Sequence, residues 1–524
     1  MKKSIIIIML LIFSIFAIAG DINYIYGYNF SNDASTTFSG LKTNITIENE
    51  LDTLYYKLSI DFFKIDGFDY EIDLGDTYKS LIPSYIIKPS LPWALYILNE
   101  GYADVYLNDT TIRFGRFIQD NGSATLYSPS VLLNAYNGIN IFEDLKPLPV
   151  DGITINGYIN DYGYELTFTS KVYDDIPQFI LYPKTINENI IAENDSTLTY
   201  IFKAKHEEVE SATEELVKTL LSKGLTQDQI NQFLANPSTL KTIDFTDEQI
   251  NEIYLGQTLL SLPNTYKVNT ITANSTSTDE LSIYNSNFES KISMNIMNYD
   301  IKLGFVHDHY HFMIPEKIDI SYSEDGTGIS KTVFYRPKRN SVTIDLQGVS
   351  NFFDSISYHG EAAFIMPERN YVIVNTSYYV PDTSKPTETV LTTSSTNVEI
   401  FEKYYVKGVF GIEYTSGEEF TFGIEGFNGL PNEELKDHIS FGGDTYIKMK
   451  INNFNLEGLG LIDFAKINDA YLPGYMANVK IYYSGIDNFE PGISFKYAYA
   501  ENENHPMKSL ETTNSISLNI KAYF

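Results

Sequence analysis

The chain has no cysteine among its 524 residues and a single tryptophan. The first absence excludes a disulfide framework, a thiolate metal site and a lipid anchor on cysteine. Basic residues are also scarce: 37 Lys and Arg stand against 68 Asp and Glu, a formal charge of −31. That balance excludes a general nucleic-acid binder, which needs basic surface against phosphate. Beyond residue 20 no apolar run approaches the ~20 residues of a membrane-spanning helix. Mean hydropathy is −0.17, an ordinary value for a water-soluble protein. Transmembrane strands are not excluded by such a value, because only alternate residues of a strand meet lipid.

What is abundant is tyrosine, 41 residues, with 33 phenylalanines. A tyrosine ring is apolar and its hydroxyl reaches water, which suits a membrane interface. At the N-terminus Lys2 and Lys3 precede an apolar stretch over 5–17, and Ala17, Ile18 and Ala19 form a small-x-small site before Gly20. Residues 1–19 therefore read as a cleaved secretory signal peptide.

The last eleven residues alternate strictly. Ile516, Leu518, Ile520, Ala522 and Phe524 fall on one face of a strand, and Ser515, Ser517, Asn519, Lys521 and Tyr523 on the other. An amphipathic final strand with an aromatic end resembles the closing strand of bacterial outer-membrane β-barrels. The resemblance implies that outer-membrane assembly machinery recognises Phe524, and that the protein resides in the cell outer membrane as a multi-pass barrel.

The same alternation recurs along the chain, joined by two kinds of connection that take turns. Tight turns occur at Glu50 to Asp52, Asn108 and Asp109, Asn160 and Asp161, Asn298 to Asp300, Asn351 to Asp354, Ser416 and Gly417, Asn452 and Asn453, and Gly485 to Asp487. Long connections cover 66–99, 118–149, 172–288, 308–339, 366–403, 428–441, 465–472 and 500–513. Short turns on one side and long loops on the other predict an all-β fold: a transmembrane antiparallel up-and-down barrel of about 18 strands, or 16 if 21–30 is not the first strand. The short side is periplasmic. The first part of the barrel spans 20–171, an extracellular insertion 172–287, and the rest of the barrel 288–524.

Strand parity sorts the side chains. Tyr56, Leu58, Ile60 and Phe62 belong outside, as do Val406, Phe410 and Ile412, and Phe422 and Ile424. Charges fall on the opposite face: Lys57, Asp61, Lys407, Glu425, Lys480 and Lys496 point into the lumen. A Lys or Arg at mid-bilayer would cost ~2–4 kcal/mol, which accounts for this sorting. The lumen carries both signs in similar number, so the acidic excess belongs to the loops.

The insertion is too long for a plain loop. About three short helices are expected over 205–262. Two of them open on a repeated capping box, Thr226 with Gln229 and Thr246 with Gln249. Residues 264–278 read as a polar return linker.

Three constellations bear on chemistry. His307, His309 and His311 alternate on one strand face, a donor set that suits a zinc-like ion, although same-face neighbours lie ~7 Å apart along a strand. They continue a lipid-facing row, so an exposed rim is the competing reading. His359 and Glu361 flank Gly360 and point inward, as a polar lumen pair rather than a catalytic one. Arg113, Phe114, Gly115 and Arg116, followed by Asp120, are similar to a stretch of porin-like barrels in which the next loop folds into the channel. That resemblance makes Arg113, Arg116 and Asp120 constriction candidates.

The expected function is a porin-like channel for passive or weakly selective diffusion of small hydrophilic solutes. It is not an enzyme, needs no cofactor, and is a monomer or a homotrimer in the outer-membrane lipid bilayer. The alternative is a structural or adhesive surface protein whose barrel anchors the helical insertion.

Overall fold

The structure, a computed structural model, describes residues 17–31, 34–66, 75–78, 95–119, 122–124, 127–137, 146–170, 178–276, 286–350, 355–429, 434–436, 439–467, 470–502 and 505–524. Most of the expected signal peptide, Asp120 and Trp93 lie outside the described residues.

Eighteen antiparallel strands follow one another in chain order around a closed cylinder. They are β1 (Ala17–Ser31), β2 (Ala34–Leu51), β3 (Leu54–Asp66), β4 (Leu95–Leu107), β5 (Thr110–Phe117), β6 (Val150–Ile159), β7 (Tyr162–Thr169), β8 (Asn287–Ile296) and β9 (Tyr299–His309). The circuit continues through β10 (Lys338–Val349), β11 (Ile356–Pro367), β12 (Tyr405–Ser416), β13 (Phe420–Asn428), β14 (Phe441–Ile451), β15 (Phe454–Ile467), β16 (Ala470–Tyr483), β17 (Phe489–Ala500) and β18 (Ser515–Tyr523). β18 pairs with β1, from Asp21 opposite Tyr523 to Asn29 opposite Ser515. Closure leaves no unpaired edge, which is what a sheet in hydrocarbon requires. The count is 18, and the first strand starts at Ala17, four residues before the expected 21.

The tight turns form where Asn places backbone in the left-handed region. Asn108, Asn160, Asn452 and Asn488 have φ between 53° and 58°. Asparagine tolerates that region because its short polar side chain bonds locally. Met297 takes φ 59° without that excuse, in the turn read from Asn298.

The two faces separate as parity predicts. Phe410 is 58% exposed and Ile424 52%, while Lys407 is 0% and Glu425 1%. Aromatic pairs mark both ends of the outer face, Phe441 stacked on Phe464 near the long loops and Phe454 against Tyr483 at the short turns.

Several of the long loops carry regular structure among the described residues. The insertion opens with a 45-residue helix, α1 (Gln178–Ser222), rather than at residue 205. It continues through α2 (Gln227–Ala235), a 3₁₀ turn (Pro237–Ile243) and α3 (Asp247–Ser261). Both capping boxes are formed, at Thr226 and Thr246. The stretch read as a return linker holds a strand, Lys267–Ser275. That strand joins two hairpins from the other long loops, Ile314–Tyr322 with Thr327–Tyr335 and Tyr371–Pro381 with Thr389–Glu399. Together they make a five-stranded mixed sheet beyond the barrel rim. These hairpins were expected as plain loops. Their strands alternate like the barrel's, and nothing local states which sheet a strand will enter.

α1 lies on this sheet. Ile186, Ile190, Leu198 and Phe202 pack with Ile318, Ile320, Tyr322, Val372 and Val374. Polar residues on the inner face of α1 are used rather than hidden. Asn187 donates to Tyr78 Oη at 2.9 Å and accepts from Thr332 Oγ1 at 2.8 Å; Asn194 does the same between Tyr322 and Thr376. The same apolar core continues into the barrel through Val306, Ala363 and Ile365, inward residues with no exposure. The cap and the barrel mouth are therefore one packed body.

Candidate functional site

The inward loop between β5 and β6 carries the site. Its described parts, 122–124 and 127–137, lie against the lumen wall of β10 and β11. Glu361 on β11 is the anchor. Its Oε1 accepts the Ser123 N–H at 2.5 Å and the Ala124 N–H at 2.8 Å, and its Oε2 accepts the Ser130 N–H at 3.1 Å and the Ser128 hydroxyl. The Ser123 hydroxyl is shared between Glu361 Oε1 at 3.0 Å and Asp345 Oδ1 at 2.7 Å. Asp345 sits opposite Glu361 in the β10–β11 register. A carboxylate that gathers backbone N–H groups and hydroxyls makes charge-assisted bonds, roughly twice as strong as neutral ones. The chain is tight enough there to need glycine: a Cβ on Gly122, at φ +67°, would fall 2.0 Å from Ser128 Oγ and 2.6 Å from Glu361 Oε1.

A second lock closes the mouth. Glu434, from the β13–β14 loop, accepts from Lys407 Nζ at 2.6 Å, from Arg339 Nη1 at 3.2 Å and from the Tyr405 hydroxyl. Arg339 also grips Asp308 with two bonds of 2.9 Å. Two cations and two carboxylates thus balance at side-chain exposures of 0–5%. Burial pushes the Glu434 carboxyl up, but Lys407 and Arg339 outweigh it and hold it below the usual carboxylate range. Leu132 of the inward loop joins this lock through its carbonyl, which accepts from His311 Nε2 at 2.8 Å and Arg339 Nη2 at 3.4 Å.

The expected site residues divide. Arg113 faces inward, forked onto Asp104 by two 2.8 Å bonds and lying 4.2 Å over the Tyr102 ring. Lys57 pairs with Glu100 at 2.5 Å, and Asp61 with Lys42 at 3.0 Å. Arg116 does not join them. It shares the outward parity of Phe114 and pairs with Asp151 at 3.7 Å. Lys480 and Lys496 face inward on β16 and β17, opposite Glu457 and Asn478 in the register.

His359 and Glu361 are not partners. His359 Nε2 reaches across β12 to Glu425 Oε1 at 2.7 Å, while Glu361 holds the loop. The crossing depends on Gly411, where a Cβ would lie 2.3 Å from His359 Nε2. The three alternate histidines do not converge either. His307 meets Asn340 at 2.9 Å, His309 meets Asn287 at 2.8 Å, and His311 turns inward to Leu132. Among the described residues no group of three or more histidine or carboxylate side chains is placed to hold a metal ion. The strand leaves the barrel wall at His309, so the row breaks where the cap begins.

Asp308, Arg339 and Glu434 were missed from sequence. Arg339 and Asp308 are cross-strand partners, a pairing that the hairpin spacing concealed because a second hairpin intervenes.

Comparison with solved structures gives likenesses at low identity. OccAB3 of Acinetobacter baumannii aligns with a TM-score of 0.44 at 9% identity, over 97% of this chain and 98% of that one. OpdL of Pseudomonas aeruginosa aligns at 0.44 and 6%, over 98% and 99%. OpdQ of the same organism aligns at 0.44 and 7%, over 97% and 98%. No protein-family model and no curated protein matches the chain. By its own strand order the chain is a closed 18-stranded antiparallel β-barrel with a helix-and-sheet cap.

Proposed function

We propose that the protein is a porin-like channel of a bacterial outer membrane, passing small hydrophilic solutes, and that a signal peptide cleaved before Gly20 exports it. One observation carries the reading: a closed cylinder whose outward residues are apolar and whose inward residues carry both charges, narrowed by a loop pinned inside. All but β5 and β7 reach the ~9–11 residues that a tilted strand needs to span. The shared core of cap and barrel supports a channel over an adhesive protein merely anchored by its barrel. Phe524 is the proposed mark for assembly machinery; its deletion should lower the yield of folded barrel in vivo. The channel acts as a monomer or a trimer.

The inward side chains of the periplasmic half set the selectivity. Lys57, Arg113, Lys302 and Lys521 keep 25–37% of their side chains in water. Each has a nearby carboxylate, so the wall is mixed in sign. Reconstitution in planar bilayers tests the proposal: ion conductance is expected, and Lys57→Glu should shift the reversal potential towards cation preference. A detergent-extracted, folded barrel that conducts under no condition would overturn it.

A further inference from the structure

The inner wall changes with height: the periplasmic half mixes buried inward residues, such as Asp104 at 4% and Asp345 at 3%, with partly exposed cations. In the extracellular half, inward side chains are buried all the way round: Ile25 is 2% exposed, Phe117 1%, Glu289 1%, Val306 0%, Phe427 6% and Ala500 0%. These six lie on β1, β5, β8, β9, β13 and β17, so the burial is not confined to one sector. The periplasmic half keeps the water-facing cations named above. Packing against the extracellular wall comes from loops. Ala124 joins Val409, Phe427, Leu461, Ala500 and Met507 in one apolar cluster, and Leu132 and Leu133 join Phe117, Val306 and Ile365 in another.

We infer that this arrangement is a stoppered state of the channel, in which the inward loop is a removable plug latched by Glu361, and that conduction requires its release. The inference rests on the channel reading. What distinguishes a latch from a permanent wall is its chemistry. Beyond apolar packing, one wall carboxylate gathers three loop N–H groups and two loop hydroxyls, and the register places a second carboxylate, Asp345, beside it. Lys302, 3.6 Å from Asp345, offsets part of the repulsion between the two carboxylates in either state, and the loop's N–H and hydroxyl donors supply the rest only while the loop is seated. Once the loop lifts, water can replace every one of those bonds.

The test compares wild type with Glu361→Ala and with the milder Glu361→Gln in planar bilayers. Each is combined with Ser130→Cys, a unique thiol in a chain without cysteine. Ser130 is 4% exposed when latched. The wild type should show rare or brief openings and slow thiol labelling. Glu361→Ala should raise both open probability and labelling rate about tenfold or more, and Glu361→Gln should fall between. Steady wild-type conductance that neither substitution alters, with equal labelling, would overturn the latch while leaving the channel reading intact. Fast labelling of Glu361→Ala without current would overturn the channel reading instead.

Discussion

The mouth lock around Glu434 gives the sharpest energetic prediction. Replacing Glu434 with alanine removes an acceptor of Lys407, of one arm of Arg339 and of the Tyr405 hydroxyl. Asp308 stays on Arg339, so the site gains one net positive charge at side-chain exposures of 0% for Lys407 and 2% for Arg339. Breaking a buried pair by removing one partner costs about 3–5 kcal/mol, chiefly from the charge left behind. At ~1.4 kcal/mol per factor of ten, the locally open form should rise by roughly two to nearly four orders of magnitude. The observable is hydrogen exchange in 434–436 and at Leu132, together with the protease sensitivity of the same segments. The reasoning makes a second demand. Lys407→Met in the Glu434→Ala background restores neutrality and leaves Arg339 paired with Asp308, so most of the protection should return. If the single variant exchanges less than about tenfold faster, or the double variant is no better than the single, the uncompensated charge is not what the lock holds in balance.

Other consequences are smaller in scope. Gly411→Ala should push the His359 ring off Glu425, costing about 1–3 kcal/mol of overpacking and moving the imidazole nitrogen resonances of His359; unchanged resonances would show that the wall gives way instead. Asp325 in the cap hairpin takes hydrogen bonds from Ser323 and Thr327, which hold its carboxyl down at about 2 against an ordinary 3.8. Because the folded value is depressed, its contribution is present above the unfolded value and is lost as pH falls through about 2. Amide exchange at 323–327, corrected for intrinsic rates, should therefore quicken on acidification below that window's upper edge and not between neutral pH and 5. His505 caps the 3₁₀ turn Pro506–Thr513 before β18, its Nδ1 accepting the Met507 N–H; burial holds the imidazole below its ordinary value, so the turn is stabilised at neutral pH and weakened in acid, and His505→Asn, which keeps a capping acceptor, should remove that pH dependence of its amide exchange.

The barrel was legible in the sequence because its code is local. A strand with one face on hydrocarbon must alternate, and Asn, Gly and Ser must punctuate it wherever the backbone turns back. Phe410, Ile412 and Glu425 declared their faces without any knowledge of their neighbours. The capping boxes at Thr226 and Thr246 were equally local, side chain to backbone three residues apart. The first half of α1 was not legible. Its inner face carries Asn187 and Asn194, poor helix formers whose amides become useful only against Tyr78 and against Thr332, Tyr322 and Thr376 of the sheet, all more than a hundred residues away.

The sequence by itself therefore determined which barrel residues face out and where most of the barrel hairpins turn, since these follow from nearest-neighbour geometry and from the cost of charge in lipid; closure rests on the pairing of the first strand with the last. The tertiary structure alone decided the partners: that Glu361 grips a loop instead of His359, that Arg116 meets Asp151, and that three histidines part company at the rim. A side chain's parity is fixed within its own strand, but the atom it meets is set by the stagger of strands far off in the chain and by loops that fold back between them.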